Sequence, residues 1–256
     1  MQNKRSILFF ILGAFFVANA LLAEFMGVKI FSLEHTFGLS PLNISLFGFE
    51  NLSFNLTAGV LLWPVVFIMT DIINEYFGRS GVRLMSFTAA GLIAYAFLMI
   101  YLSIGLTPSD FWIERTTPSG ILNMDLAFNT IFGQGLWIIV GSLVAFLIGQ
   151  LVDVTVFHYL RSFTGSSKIW LRATGSTLVS QFIDSFVVLF IAFYIGAGWE
   201  LSLVLAIGVV NYIYKFFIAV FLTPTLYILH YLIDLFLGKD LSEKLIKEAA
   251  ESSSIR

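Results

Sequence analysis

Five ionisable side chains sit within or at the ends of long apolar stretches: Asp71, Glu75, Asp153, Asp184 and Lys215. In hydrocarbon such a group costs about 2.5–3.5 kcal/mol even on a lenient insertion scale, so it usually lines a polar cavity or carries function. The chemistry this points to is the handling of a polar solute inside a membrane. Asp71 and Glu75 lie four residues apart with Asn74 beside them, so they share one helical face. Two carboxylates on one face suit a proton or a cation, which makes Asp71 and Glu75 candidates for energy coupling. Glu75 and Arg79 are also four apart and could pair, which would make Glu75 a solvated helix end closed by Arg79.

The stretch around Asp184 is richest. Thr174, Thr177, Gln181 and Asp184 follow spacings of three, four and three, with Ser180 flanking them. A polar stripe on an apolar spanning helix faces protein or water, not lipid. The next stretch carries Asn211 and Lys215 four apart, which places Lys215 at a depth similar to Asp184 on a consecutive antiparallel helix. Two readings stand: a buried structural ion pair, or a solute pocket whose charges rearrange on binding. Gln150 and Asp153 share a face near the end of a further stretch, as substrate contacts or as interfacial anchors.

Six apolar runs must position these groups: Ser6–Ala23, Leu56–Ile73, Val82–Gly105, Leu126–Leu151, Ile169–Gly196 and Leu201–Leu222. Each is long enough to cross a bilayer, which takes about 20 residues. The chain is 58% apolar and only 12% charged, with a mean hydropathy of +0.91, far from soluble composition. The expected architecture is all-α and integral to the membrane, with six transmembrane helices. Residues 1–238 form one membrane domain with a long outer loop at 28–55, and residues 239–256 form a polar tail. Lys4, Arg5, Arg79, Arg83, Arg161, Lys168, Arg172, Lys239, Lys244, Lys247 and Arg256 fall on one side of the runs. The opposite loops hold only Lys29 and Arg115, so both termini are expected in the cytoplasm. The first run, although it contains Ala18-Asn19-Ala20, which resembles a cleavage site, is expected to stay as a helix and not be cleaved as a signal peptide.

The outer loop alternates apolar and polar residues, which suggests a hairpin or re-entrant flap, or an irregular interfacial loop. Pro224 is expected to kink the last long helix. Leu241, Leu245 and Ile246 recur at helical intervals, predicting a short surface helix in the tail. The sequence contains no cysteine, which excludes disulfides and thiolate chemistry. It shows no phosphate-binding loop, no HExxH and no Gly-x-Ser-x-Gly elbow. No cofactor, metal site or nucleic-acid partner is expected, and the chain does not read as an enzyme.

Several segments together are similar to the queuosine precursor transporter family, also called the vitamin uptake transporter-like family. They are Thr70-Asp71 with Phe77-Gly78-Arg79, Gly149-Gln150-x-x-Asp153 with Val156-Phe157 and Leu160-Arg161, Trp170, Ser176-Thr177, Asp184 with Ile191-Ala192-Phe193, and Tyr212…Lys215 with Pro224. The resemblance implies a six-helix bacterial inner-membrane carrier, similar to the substrate-binding subunits of energy-coupling-factor transporters. It would import 7-cyano-7-deazaguanine or 7-aminomethyl-7-deazaguanine for salvage into modified tRNA. A carboxylate, Asp184 by its depth or else Asp71, would accept the paired N–H donors of a guanine-like edge. Gln181 and Asn211 would read the ring, and Trp170 and Tyr212 would stack on it. Two alternatives are a binding subunit that docks an ATPase module, through a face such as Ala14-x-x-x-Ala18, and a membrane enzyme using paired aspartates. A homo-oligomer is compatible with either transport reading.

Overall fold

The computed structural model describes residues 2–118, 120–133, 135–164 and 168–254. Arg256, assigned above to the basic side, lies outside the described residues. The helices are α1 (Gln2–Met26), α2 (Leu33–Thr36), α3 (Trp63–Ile104), α4 (Asp110–Ile113), α5 (Met124–Phe132), α6 (Leu136–Thr164), α7 (Ile169–Leu189), α8 (Leu201–Leu237) and α9 (Lys239–Ser254). Among the described residues, five helical segments are long and apolar enough to cross a membrane. The second and third apolar runs merge into α3, of 42 residues.

That helix is not straight. Gly78 has φ 67° and ψ −169°, outside helical geometry, in a region open essentially to glycine alone. Thr70 and Ser86, eight residues on either side, both donate to Oε1 of Gln150, at 3.0 and 3.3 Å. In a straight helix those two positions would be about 24 Å apart. The two halves therefore fold back on each other at Gly78. Contacts with α1 agree: Phe9 meets Phe77 near the bend, with ring centroids 4.8 Å apart. At the other end of α1, Phe25 meets Phe97 at 6.0 Å, and Gly59, just ahead of α3, sits against the Ala23 carbonyl.

The closest helix pair is α6 and α7. Gly141, Ala145 and Gly149 recur every four residues on α6, and Ala145 is fully buried. A Cβ at Gly141 would lie 3.2 Å from the Val188 carbonyl oxygen, and one at Gly149 3.8 Å from Cβ of Asp184. Small residues at this spacing let two backbones approach, which is how helices associate where no water is available to drive them together. Helix α7 ends in a π-helical stretch, Phe190–Ile195.

Helix α8 continues through Pro224 to Leu237. The tail does form a helix, but its apolar face is not left at a surface: Leu241, Leu245 and Ala249 are buried, the first two within the main core. Basic residues gather at the Gly78 end, where Lys4 Nζ donates to the Phe236 carbonyl (2.7 Å) and Arg5 pairs with Glu248 (3.3 Å). Arg161 Nη2 donates to the Ile246 carbonyl there, at 3.0 Å.

The loops between these segments hold short strands. β1 (Ile30–Ser32) pairs antiparallel with β4 (Asn55–Thr57), and they enclose the hairpin of β2 (Ile44–Leu46) and β3 (Phe49–Leu52). The hairpin turn uses Phe47 and Gly48, both at positive φ (52° and 86°), as tight two-residue turns require. Asn43 and Asn51 also adopt positive φ (51° and 61°), which asparagine tolerates better than most residues. β5 (Glu114–Thr117) pairs with β6 (Gly120–Asn123). Glu34 ties the first loop together, accepting from the Phe54 amide at 2.9 Å. Burial pushes its carboxyl up, but hydrogen bonds from backbone amides and Ser32 outweigh this and hold it below the usual range.

Replacing Gly78 with valine should destabilise the folded protein by about 1–3 kcal/mol, the cost of forcing a side chain into this backbone region. Denaturant unfolding of the purified protein measures this, and an unchanged midpoint would mean the bend does not depend on residue 78.

Candidate functional site

Between the first half of α3, α7 and α8 lies a narrow cavity of about 580 Å³, counting the space at its open mouth. Its walls are mainly apolar, with Trp63, Phe67 and Tyr214 as aromatic faces. The polar groups facing it come from the three helices: Asp71 from α3, Thr174, Thr177 and Gln181 from α7, and Lys215 and Thr223 from α8. The three-four spacing on α7 is what puts Thr174, Thr177 and Gln181 on one wall.

Two acceptors in this cavity are unsatisfied. Asp71 Oδ2 accepts a long hydrogen bond from the Thr177 hydroxyl, 3.4 Å, while Oδ1 is buried with no partner. Gln181 Oε1 is likewise buried and unpaired. A buried polar atom left without a partner costs about 1–3 kcal/mol. Lys215 Nζ donates to Asp184 Oδ2 at 2.5 Å. This pair is not sealed in a dry core: the two side chains keep 17% and 21% of their exposure, and Lys215 is part of the cavity wall.

Behind the wall sits a second polar layer. Asp153 is fully buried and accepts from Ser180 at 3.2 Å, with Ser176 and Thr177 also within reach, while its Oδ2 makes no hydrogen bond of normal geometry. Gln150 accepts from Thr70 and Ser86, and its Nε2 is unpaired. Nearer the Gly78 end, Glu75 receives Arg172 at 2.7 and 3.2 Å and Arg161 at 3.4 Å. Arg172 also lies over the Phe157 ring, 5.6 Å from its centroid, and His158 contacts Asn74 at 2.7 Å.

Of the residues singled out by sequence, the cavity unites Asp71, Gln181 and Lys215, and it reaches Asp184 through Lys215. Asp153 and Gln150 stand one layer behind. The Glu75–Arg79 pair, one of the two readings open for Glu75, is not seen, because the Gly78 bend removes the continuous turn that would bring positions four apart together. Glu75 is instead held by two arginines from α6 and α7. Trp170 is 45% exposed and lines no part of the cavity. Tyr212 packs edge-on against Phe182, ring centroids 5.2 Å apart, and Asn211 is half-buried on α8 outside the cavity lining. Trp63 and Tyr214 take the aromatic places instead. Tyr214 was legible as a neighbour of the Lys215 face, since 214, 218 and 222 recur at helical spacing. Sequence reasoning also missed Glu24, which is buried at the end of α1 and accepts from Ser142. It lies just past the first apolar run, where depth cannot be read from hydropathy.

Residues 57–229 match the family model described as "Putative vitamin uptake transporter". A Bacillus subtilis (strain 168) protein named "Probable queuosine precursor transporter" is 31% identical over 68% of this chain and 72% of its own. A Haemophilus influenzae protein of the same name is 27% identical over 86% of this chain and 84% of its own. The Escherichia coli (strain K12) "Queuosine precursor transporter" is 29% identical over 66% and 70%. No solved structure matches the chain.

The buried Glu75 cluster should behave as structure. Glu75→Gln leaves two arginine charges uncompensated, and removing one partner of such a cluster costs about 3–5 kcal/mol. A correspondingly large drop in the thermal midpoint of purified protein is expected. A midpoint within experimental error of wild type would show that Glu75 is not needed for the assembly.

Proposed function

The chain belongs to the family described as "Putative vitamin uptake transporter", and we propose that it imports queuosine precursors of the 7-deazaguanine type across the bacterial cytoplasmic membrane. The observation that carries this reading is that Asp71 and Gln181, each holding a buried acceptor with no partner (Oδ1 and Oε1), line one cavity with Lys215. A guanine-like edge offers adjacent N–H donors beside a carbonyl oxygen. Asp71 and Gln181 accept the donors, and Lys215 turns from Asp184 to the carbonyl. Asp71 is preferred to Asp184 as the reader because Asp71 lines the cavity and keeps an unpaired oxygen, whereas Asp184 is not among the lining residues. Trp63, Phe67 and Tyr214 offer flat faces, where base stacking is worth about 1–3 kcal/mol per contact by analogy with nucleic-acid sites.

On this reading the fold-back at Gly78 divides α3 into two crossings, for six in all. The gathering of Lys4, Arg5, Arg161 and α9 at one end of the bundle supports placing that end, and both termini, in the cytoplasm. Transport then proceeds by alternating exposure of a mid-membrane site, without covalent chemistry.

A second reading rests on α1, where Ala14 and Ala18 both face away from the bundle. They would serve as a docking face if the chain were a binding subunit requiring an ATPase module. Uptake by the purified protein alone in liposomes separates the two.

Asp71→Asn should weaken binding of 7-cyano-7-deazaguanine by about 10- to 100-fold, the worth of a hydrogen bond to a charged group. Lys215→Met and Asp184→Asn should abolish uptake while the protein still inserts. Wild-type binding and uptake in all three, at matched membrane levels, would remove the pocket assignment.

A further inference from the structure

The cavity wall hides a pair of carboxylates that solute recognition does not use in full. Asp71 faces the cavity; Asp153 lies directly behind it, fully buried. Thr177 and Ser180, adjacent on one face of α7, connect them: Thr177 donates to Asp71 and Ser180 to Asp153, and the Thr177 hydroxyl is within reach of both. Each carboxylate keeps one oxygen, Oδ1 of Asp71 and Oδ2 of Asp153, buried without a partner.

Among the described residues neither carboxylate has an ion-pair partner. Arg172 of α7, whose charge acts on Asp71, is held together with Arg161 of α6 by Glu75 of α3. His158 of α6 is engaged with Asn74. On the cavity side, Lys215 of α8 is bound to Asp184 of α7. Two neighbouring carboxylates in a low-dielectric site without a counter-ion do not both ionise; they share a proton.

We propose that Asp71 and Asp153 form the proton site that couples solute uptake to the proton gradient, an inference that rests on the solute-import reading above. One proton occupies the pair. When a solute presents N–H donors to Asp71, it favours the ionised form of that carboxylate, and the proton resides on the inner oxygen of Asp153. Solute and proton then each favour binding of the other, as linkage requires. They cross together and are released together once the site opens to the inside. The step balances as one proton moved between carboxylate oxygens and carried with one neutral solute, with no redox change.

The test uses the purified full chain in liposomes with an internal pH dye and radiolabelled 7-cyano-7-deazaguanine. An acid-outside gradient should drive accumulation, with about one proton entering per solute. Asp153→Asn, a near-isosteric neutral change behind the wall, should keep binding and solute counterflow within about threefold of wild type. It should lose both accumulation and proton entry, and Asp153→Glu should restore part of each. Full gradient-driven accumulation by Asp153→Asn, or wild-type accumulation driven by sodium without proton movement, would overturn the proposal. If wild type neither binds nor exchanges the base, the solute reading fails. The proton site is then judged alone, by infrared difference spectra across pH. A buried carboxylic-acid band present in wild type and missing from Asp153→Asn sustains it, and no such band overturns it.

Discussion

The close approach of α6 and α7 is the constraint on which the rest of the molecule depends. Gly141, Ala145 and Gly149 remove the side chains that would hold the two backbones apart. Only at that separation can short hydroxyls on α7 reach a carboxylate on α6. Longer donors would bridge a wider gap, but they would take up space beside the cavity. Seryl and threonyl side chains are therefore a consequence of the glycine seam. The same seam places the polar stripe of α7 so that one edge meets α6 and the other opens toward α3 and α8.

Two polar systems built on this frame differ in what their carboxylates meet. Both oxygens of Glu75 are paired: two guanidinium groups converge on it, and one of these is braced by an aromatic ring, while Arg161 Nη1 makes an ion pair but no hydrogen bond of normal geometry. A charge cluster of that kind holds helices in register and gains nothing from a further ligand. The system around Asp71, Asp153, Gln150 and Gln181 leaves one polar atom open on each residue. Buried groups in native proteins are overwhelmingly paired, so four open atoms in one neighbourhood are a departure that the proposed solute and proton sites account for.

Sequence made the α7 stripe readable because helical spacing is independent of what the helix packs against. Lys215 and Asp184 were readable for the same reason, as charges at matching depth on successive helices. What spacing and residue type leave open is set by packing. A Glu75–Arg79 pair, one of the two readings of Glu75, needs an unbroken helix, and one glycine conformation cancels it. Tyr212 and Trp170 were chosen by residue type and not by helical face, and rotation of each helix about its own axis decides which aromatic meets the cavity. Of the readings open for the loop at 28–55, the hairpin is the one seen, since alternation survives in short strands, whereas the pairing of β1 with β4 joins segments too far apart in sequence for any local pattern to announce.

The arginines that neutralise Glu75 stand far along the chain from it, at positions 161 and 172. During synthesis from the N-terminus, the helical hairpin bent at Gly78 emerges with its carboxylate exposed long before either partner exists. The hairpin therefore carries this carboxylate without its arginine partners until α6 and α7 arrive, and its final packing waits for them.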